Sequence, residues 1–221
     1  MGTTMKRYYK QVNVLAVLFM ACTITVAACS TTGMQRSEDV QSTMQTVDDD
    51  IKLIVVQLDA IGASLDELTR PGQSDVRKAF DVFSNNVSKI ERMERDFSNH
   101  ADKMTESGKT YFEAWDNRNQ YDNPEIQRSS NERRAALGRT YDKIGENNQG
   151  VKEAFRTYVS DVTEIESYMS NDLTTQGITS IASLSDNTVR NGSRLKVELE
   201  SLQSAIEDAR LEMRQSGISL N

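Results

Sequence analysis

Apolar side chains recur through most of this chain at alternating spacings of four and three residues. Val40, Met44, Val47, Ile51, Ile54, Leu58, Ile61, Leu65 and Leu68 form the first series. Such a heptad seam, held without a slip, predicts one helix over residues 36–69 whose apolar stripe packs on partner helices. Arg70-Pro71-Gly72 ends it, because proline cannot continue the hydrogen-bond ladder and glycine suits a turn.

Three more seams follow. Val76, Phe80, Phe83, Val87, Ile90, Phe97, Ala101, Met104, Tyr111 and Trp115 stay in register, with Glu94 and Gly108 at two seam positions, and predict a helix over 74–117 with Ser74 as its N-cap. The turn-rich stretch Asn117 to Pro124 interrupts the pattern, and Pro124 suits the first position of a new helix. Leu137, Tyr141, Ile144, Asn148, Val151, Phe155, Tyr158, Val162, Ile165 and Met169 place the third helix at 124–171, continuous across Gly145 and Gly150 because the phase survives there. Ile178, Ile181, Leu195, Leu199, Leu202, Ile206, Ala209 and Met213 define the fourth, over 175–215. Ser185, Thr188 and Gly192 occupy its middle seam positions, so the expected break lies between Ser183 and Ser193. Short turns make sequential helices antiparallel neighbours. The expected fold is therefore all-α, an elongated antiparallel up-down four-helix bundle with coiled-coil packing.

The first 28 residues obey a different pattern. Lys6, Arg7 and Lys10 precede the apolar or small run Val12 to Ala28, with no acid before Glu38. The run is shorter than the ~20 residues a membrane-spanning helix needs and ends in small residues, which reads as an export signal.

Val26-Ala27-Ala28-Cys29 resembles the lipobox of bacterial lipoproteins. The resemblance implies cleavage between Ala28 and Cys29, a diacylglyceryl group on the Cys29 sulfur, and acylation of the new amino terminus. Cys22, preceded by Met20-Ala21, is a poorer box. Two or more acyl chains hold a protein firmly on a bilayer, whereas one binds marginally. Ser30 stands where an aspartate typically retains such proteins in the inner membrane, so the resemblance implies the outer membrane, facing the periplasm. Residues 29–37 then form a lipidated tether and 38–217 a single helical domain. The segment Tyr158 to Thr174, followed by Gly177-Ile178, is similar to a family of proteobacterial lipoproteins classed as domain of unknown function 2959, over most of Cys29 to Gly217. That family carries no activity or functional residues to transfer.

Charge and composition narrow the chemistry. The chain has 221 residues, a net charge of −7, two cysteines, two prolines and 6% aromatic residues. An acidic chain is a poor nucleic-acid partner. Loss of Lys6, Arg7 and Lys10 with the signal leaves −10, and lipid on Cys29 leaves no free thiol for a disulfide, a metal or a nucleophile. One histidine, His100, follows Phe97 by three residues, so neither a bis-histidine haem nor a pair of Glu-x-x-His metal motifs can be built. There is no G-x-S-x-G and no glycine-rich phosphate loop. No cofactor, metal or catalytic residue is expected.

Two surfaces remain. Residues 36–69 carry eight acids against Arg36 and Lys52, a face that is either simply solvated or set to dock a basic partner. At the turn after the second helix Tyr111, Phe112, Trp115 and Tyr121 meet Arg118, Arg128, Arg133 and Arg134. These aromatics either cap the bundle end or, as residues enriched at interface hot spots, make Tyr111, Trp115, Arg118 and Tyr121 a partner surface. The functional expectation is a non-enzymatic, lipid-anchored helical scaffold or tether for an envelope protein partner. The alternative is a module binding an apolar ligand such as a lipid where packing thins around Ser185 to Gly192.

Overall fold

A computed structural model describes residues 33–215. The signal segment 1–28 and the Ala28 and Cys29 processing sites lie outside the described residues. Five helices pack against one another: α1 (Gly33–Thr69), α2 (Val76–Asp116), α3 (Pro124–Asn171), α4 (Thr175–Ser180) and α5 (Ala182–Gln215). Among the described residues there is no strand, and no helix is long and apolar enough to cross a membrane.

Every seam position of α1 and α3 is buried. α2 departs at its start, where Ala79 is buried and Phe80 is only half-buried against the core. Near Glu94 the apolar contribution comes from the neighbouring Met93. In α5 the small residues Ser185, Thr188 and Gly192 are buried as the seam requires.

The ends of the helices follow capping chemistry. The Asn123 carboxamide oxygen accepts from the backbone N–H of Glu125 (2.9 Å) and Ile126 (3.3 Å), with Pro124 in the first turn where its missing N–H costs nothing. The N-cap of α2 is Asp75 rather than Ser74: its carboxylate accepts from the N–H of Lys78 at 3.0 Å, a stronger acceptor than a hydroxyl. Thr174 caps α4 through Gly177 N–H at 3.1 Å.

Two expected boundaries are corrected. Helix α1 begins at Gly33, so residues 33–37 belong to the helix and not to a tether. The last helical segment breaks at Ile181, between α4 and α5, and not between Ser183 and Ser193. The Thr188 hydroxyl is satisfied by the Leu184 carbonyl of its own helix at 2.9 Å, and Gly192 lets the Tyr158 ring of α3 approach to within 2.9 Å of where a Cβ would stand. Those small residues accommodate a neighbour without interrupting the helix.

Side chains between helices fix which elements adjoin. His100 Nδ1 lies 2.7 Å from Asp50 Oδ2, and Gln57 donates to Asn86 Oδ1 at 3.1 Å, joining α1 to α2. Thr163 donates to Glu91 at 3.3 Å and Tyr141 to the Met104 carbonyl at 2.5 Å, joining α2 to α3. Asn191 donates to Asp161 at 2.6 Å between α3 and α5, and Gln203 to Asp48 at 2.6 Å between α1 and α5. Residue numbers fall on one helix as they rise on its neighbour in α1 with α2, and Lys196 pairs with Asp59 in the same sense for α1 with α5.

Candidate functional site

The turn between α2 and α3 gathers the aromatic side chains that the sequence singles out. Tyr111 and Trp115 sit one turn apart on α2 and meet edge to face, with ring centroids 5.8 Å apart. Phe112, on the adjoining stripe, meets Tyr111 at 5.3 Å and Tyr141 of α3 at 5.5 Å. Trp115 is held from α3 on two sides: its indole N–H donates to the Ser130 hydroxyl at 3.1 Å, and the Arg133 guanidinium lies 5.9 Å from the ring centroid. Arg134 lies over Phe112 at 4.4 Å and grips Asp116 through two hydrogen bonds of 2.9 and 3.0 Å. That pairing lowers the Asp116 carboxyl below the ordinary carboxylate range. Burial pushes the Tyr111 phenol up, against the pull of the nearby Arg133 and Arg36 charges.

The amino end of α1 and the carboxyl end of α5 arrive at the same place. Together with the α2–α3 turn they enclose a cleft of about 570 Å³. Tyr111, Trp115, Arg118 and Tyr121, the four residues expected at a partner surface, all line it. Met34 and Arg36 of α1 and Met213 and Arg214 of α5 are also in the wall. These four come from segments the sequence reading did not connect with the tip. The available signal was topological, since an even number of long helices returns the chain to its starting end.

Elsewhere, Tyr158, Gly192 and the Asp59–Lys196 pair border a groove of about 290 Å³ between α1 and α5, at the thinly packed stretch named from the sequence. Asp48 is buried on the acidic face of α1. Burial alone pushes its carboxyl up, but hydrogen bonds from Lys52 (2.7 Å) and Gln203 (2.6 Å), with the charges of Lys52 and Arg210, outweigh this and hold it below its usual value. This part of the face is therefore tied into the fold. His100, half-exposed on Asp50, is a boundary residue. Among the described residues no three histidine, cysteine or carboxylate side chains cluster as metal ligands.

No protein-family model, no curated protein and no solved structure matches the chain.

Proposed function

We propose that the protein is a non-enzymatic lipoprotein of the cell envelope, anchored through Cys29 in the outer membrane and facing the periplasm, whose helices form a scaffold or tether for an envelope protein. In this reading α1, α2, α3 and α5 are an up-down four-helix bundle with heptad packing, and α4 is a one-turn prelude to the last helix. The observation that carries it is the spacing of anchor and rod. Three residues separate Cys29 from Gly33, where a 37-residue helix begins whose seam is buried through to Leu68. At 1.5 Å per residue α1 is about 55 Å long, so a lipid at its start would hold a stiff body at a fixed distance from the bilayer.

Metabolic labelling with a fatty acid tests the anchor. The native chain should take up label and Cys29→Ser should not; label persisting in the variant overturns the assignment. Photocrosslinkers placed at Trp115 and at the Asp48 region, followed by identification of the captured protein, test the scaffold role.

A second reading rests on the groove beside Tyr158 and Gly192, which suits a module that opens between α1 and α5 around an apolar ligand. An apolar fluorescent probe that stays dark with the folded protein counts against it.

A further inference from the structure

We propose that the groove between α1 and α5 binds an uncharged aliphatic molecule with one hydroxyl or carbonyl oxygen, and that this oxygen accepts a hydrogen bond from the Tyr158 hydroxyl. The inference rests on the second reading above, that the groove takes an apolar ligand, and adds which polar group the ligand carries and which charges it lacks.

Tyr141 and Tyr158 are the two tyrosines of the α3 seam, and each lays its ring against a glycine of a neighbouring helix, Gly108 of α2 and Gly192 of α5. The Tyr141 hydroxyl donates to the Met104 carbonyl at 2.5 Å. The Tyr158 hydroxyl has no hydrogen-bond partner among the described residues, although the residue is only 2% exposed. Buried polar groups are ordinarily paired, so this donor is left for an acceptor that the chain does not supply. Burial pushes the phenol up, and the charges of Asp161 and Asp59 add to this, so at neutral pH the oxygen keeps its proton and can donate it. Tyr158 enters from α3, yet its far end lies in the groove. The ring carbon bearing the hydroxyl is 3.6 Å from where a Gly192 Cβ would stand, and Gly192 and Asp59 both line the same hollow.

The groove holds about 290 Å³, near the lower end of small-molecule sites and roughly the volume of ten waters at ~30 Å³ each. Leu58, Ile61 and Leu65 of α1 and Val189 of α5 give it apolar walls. Gly62 keeps it open, since nothing lies within 4 Å of where its Cβ would stand. The Thr188 and Ser193 hydroxyls already donate to carbonyls of their own helix, at 2.9 and 3.0 Å, which leaves Tyr158 as the hydroxyl with a proton to give. Lys196 is the one cation among the lining residues and is paired with Asp59, while Asp66 has no ion pair among the described residues. A carboxylate or phosphate therefore meets surplus negative charge. An ammonium group meets no such repulsion but has no lone pair to accept the Tyr158 proton. An uncharged oxygen on an aliphatic chain satisfies both the donor and the walls.

Isothermal titration calorimetry of the purified protein with octanol, octanoate and octylammonium at neutral pH tests this. Octanol should bind saturably, with the two ions about tenfold weaker or more. Tyr158→Phe keeps the ring against Gly192 and removes only the hydroxyl; it should weaken octanol about tenfold. Gly62→Leu fills the open space with a better helix former and should abolish octanol binding while the helical circular dichroism is kept. Should that variant prove unstable, Gly62→Ala should still weaken binding. Gly145→Ala, at a helical glycine with the same free space but outside the groove, should change nothing. Equal binding of the three compounds, no saturable binding of octanol, or octanol binding unaffected by Tyr158→Phe or by Gly62→Leu overturns the proposal. The fluorescent probe N-phenylnaphthylamine, which carries no oxygen, reads the underlying module separately. Probe fluorescence that rises alike in native and Tyr158→Phe protein, with no preference for octanol, leaves an apolar module and removes the hydrogen-bonded ligand. A dark probe with octanol binding that Tyr158→Phe weakens removes the opening between α1 and α5 and leaves the small site.

Discussion

The ring of Tyr141 occupies the space that a Cβ on Gly108 would fill: an added carbon would stand 2.0 Å from the ring carbon bearing the hydroxyl. The hydroxyl reaches past α2's missing side chain to donate to the Met104 carbonyl, one turn earlier, at 2.5 Å. A glycine at a seam position of α2 is thereby explained by a tyrosine 33 residues later.

Gly108→Ala should therefore destabilise the protein, although alanine is the better helix former by about 1 kcal/mol. Overpacking of this kind costs about 1–3 kcal/mol. Urea unfolding measures it, and a variant as stable as the native protein would show that the ring relocates freely.

A buried amide network joins α1 to α2. Gln57, 2% exposed, donates to both the carbonyl and the side chain of Asn86, and Asn86 donates to the Ala60 carbonyl (3.3 Å) and to Ser64 (3.2 Å). Asn86→Leu should cost about 1–3 kcal/mol, because it strips partners from a buried amide. Combining it with Gln57→Leu should recover part of the loss, and strict additivity in the double-mutant cycle would contradict a shared network.

Asp48 gives the protein an acid-sensitive joint. Its carboxyl titrates lower in the folded chain than in the unfolded one, so its stabilising contribution is complete above the unfolded value of about 4 and disappears as pH falls through the folded value. Thermal stability should be insensitive to this group between pH 5 and 7 and decline below about pH 4. In Asp48→Asn the decline should be shallower, and an unchanged profile would mean that other carboxylates control it.

Trp115 distinguishes a capped end from a working surface. The ring is only half-buried, with one hydrogen bond to Ser130 and one cation over its face. Trp115→Ala should lower the unfolding free energy by about 1–2 kcal/mol, less than the 3–5 kcal/mol of a fully buried aromatic, while crosslinked partner yield falls more than tenfold. A large stability loss with unchanged capture would make the aromatic cluster a cap alone.

The helices were legible because period and burial coincide. All nine seam residues of α1 and all ten of α3 are buried, since each series supplies one apolar stripe with Asn148 as its lone polar member. What remained hidden depends on partners distant in sequence. Gln57 and Ser64 lie beside the seam and look like surface residues until Asn86 comes opposite. The break at Ile181 falls between Ser180 and Ala182, four residues past Gly177, while the polar stretch from Ser183 stays helical. Half of the cleft was visible for the same reason. Tyr111, Trp115, Arg118 and Tyr121 are neighbours in sequence, whereas Arg36 and Met213 join them only through the return of the chain.

That return has a practical corollary. Met34 and Met213 border one cleft, so the two outer ends of the helical body open on one side, and the turn at Gly72 lies a full helix length away. A reporter placed beside Gly33 would sample one end of the helical body, and one inserted at Gly72 would sample the other. A matched pair of reporters would turn the body of the protein into a ruler one helix long.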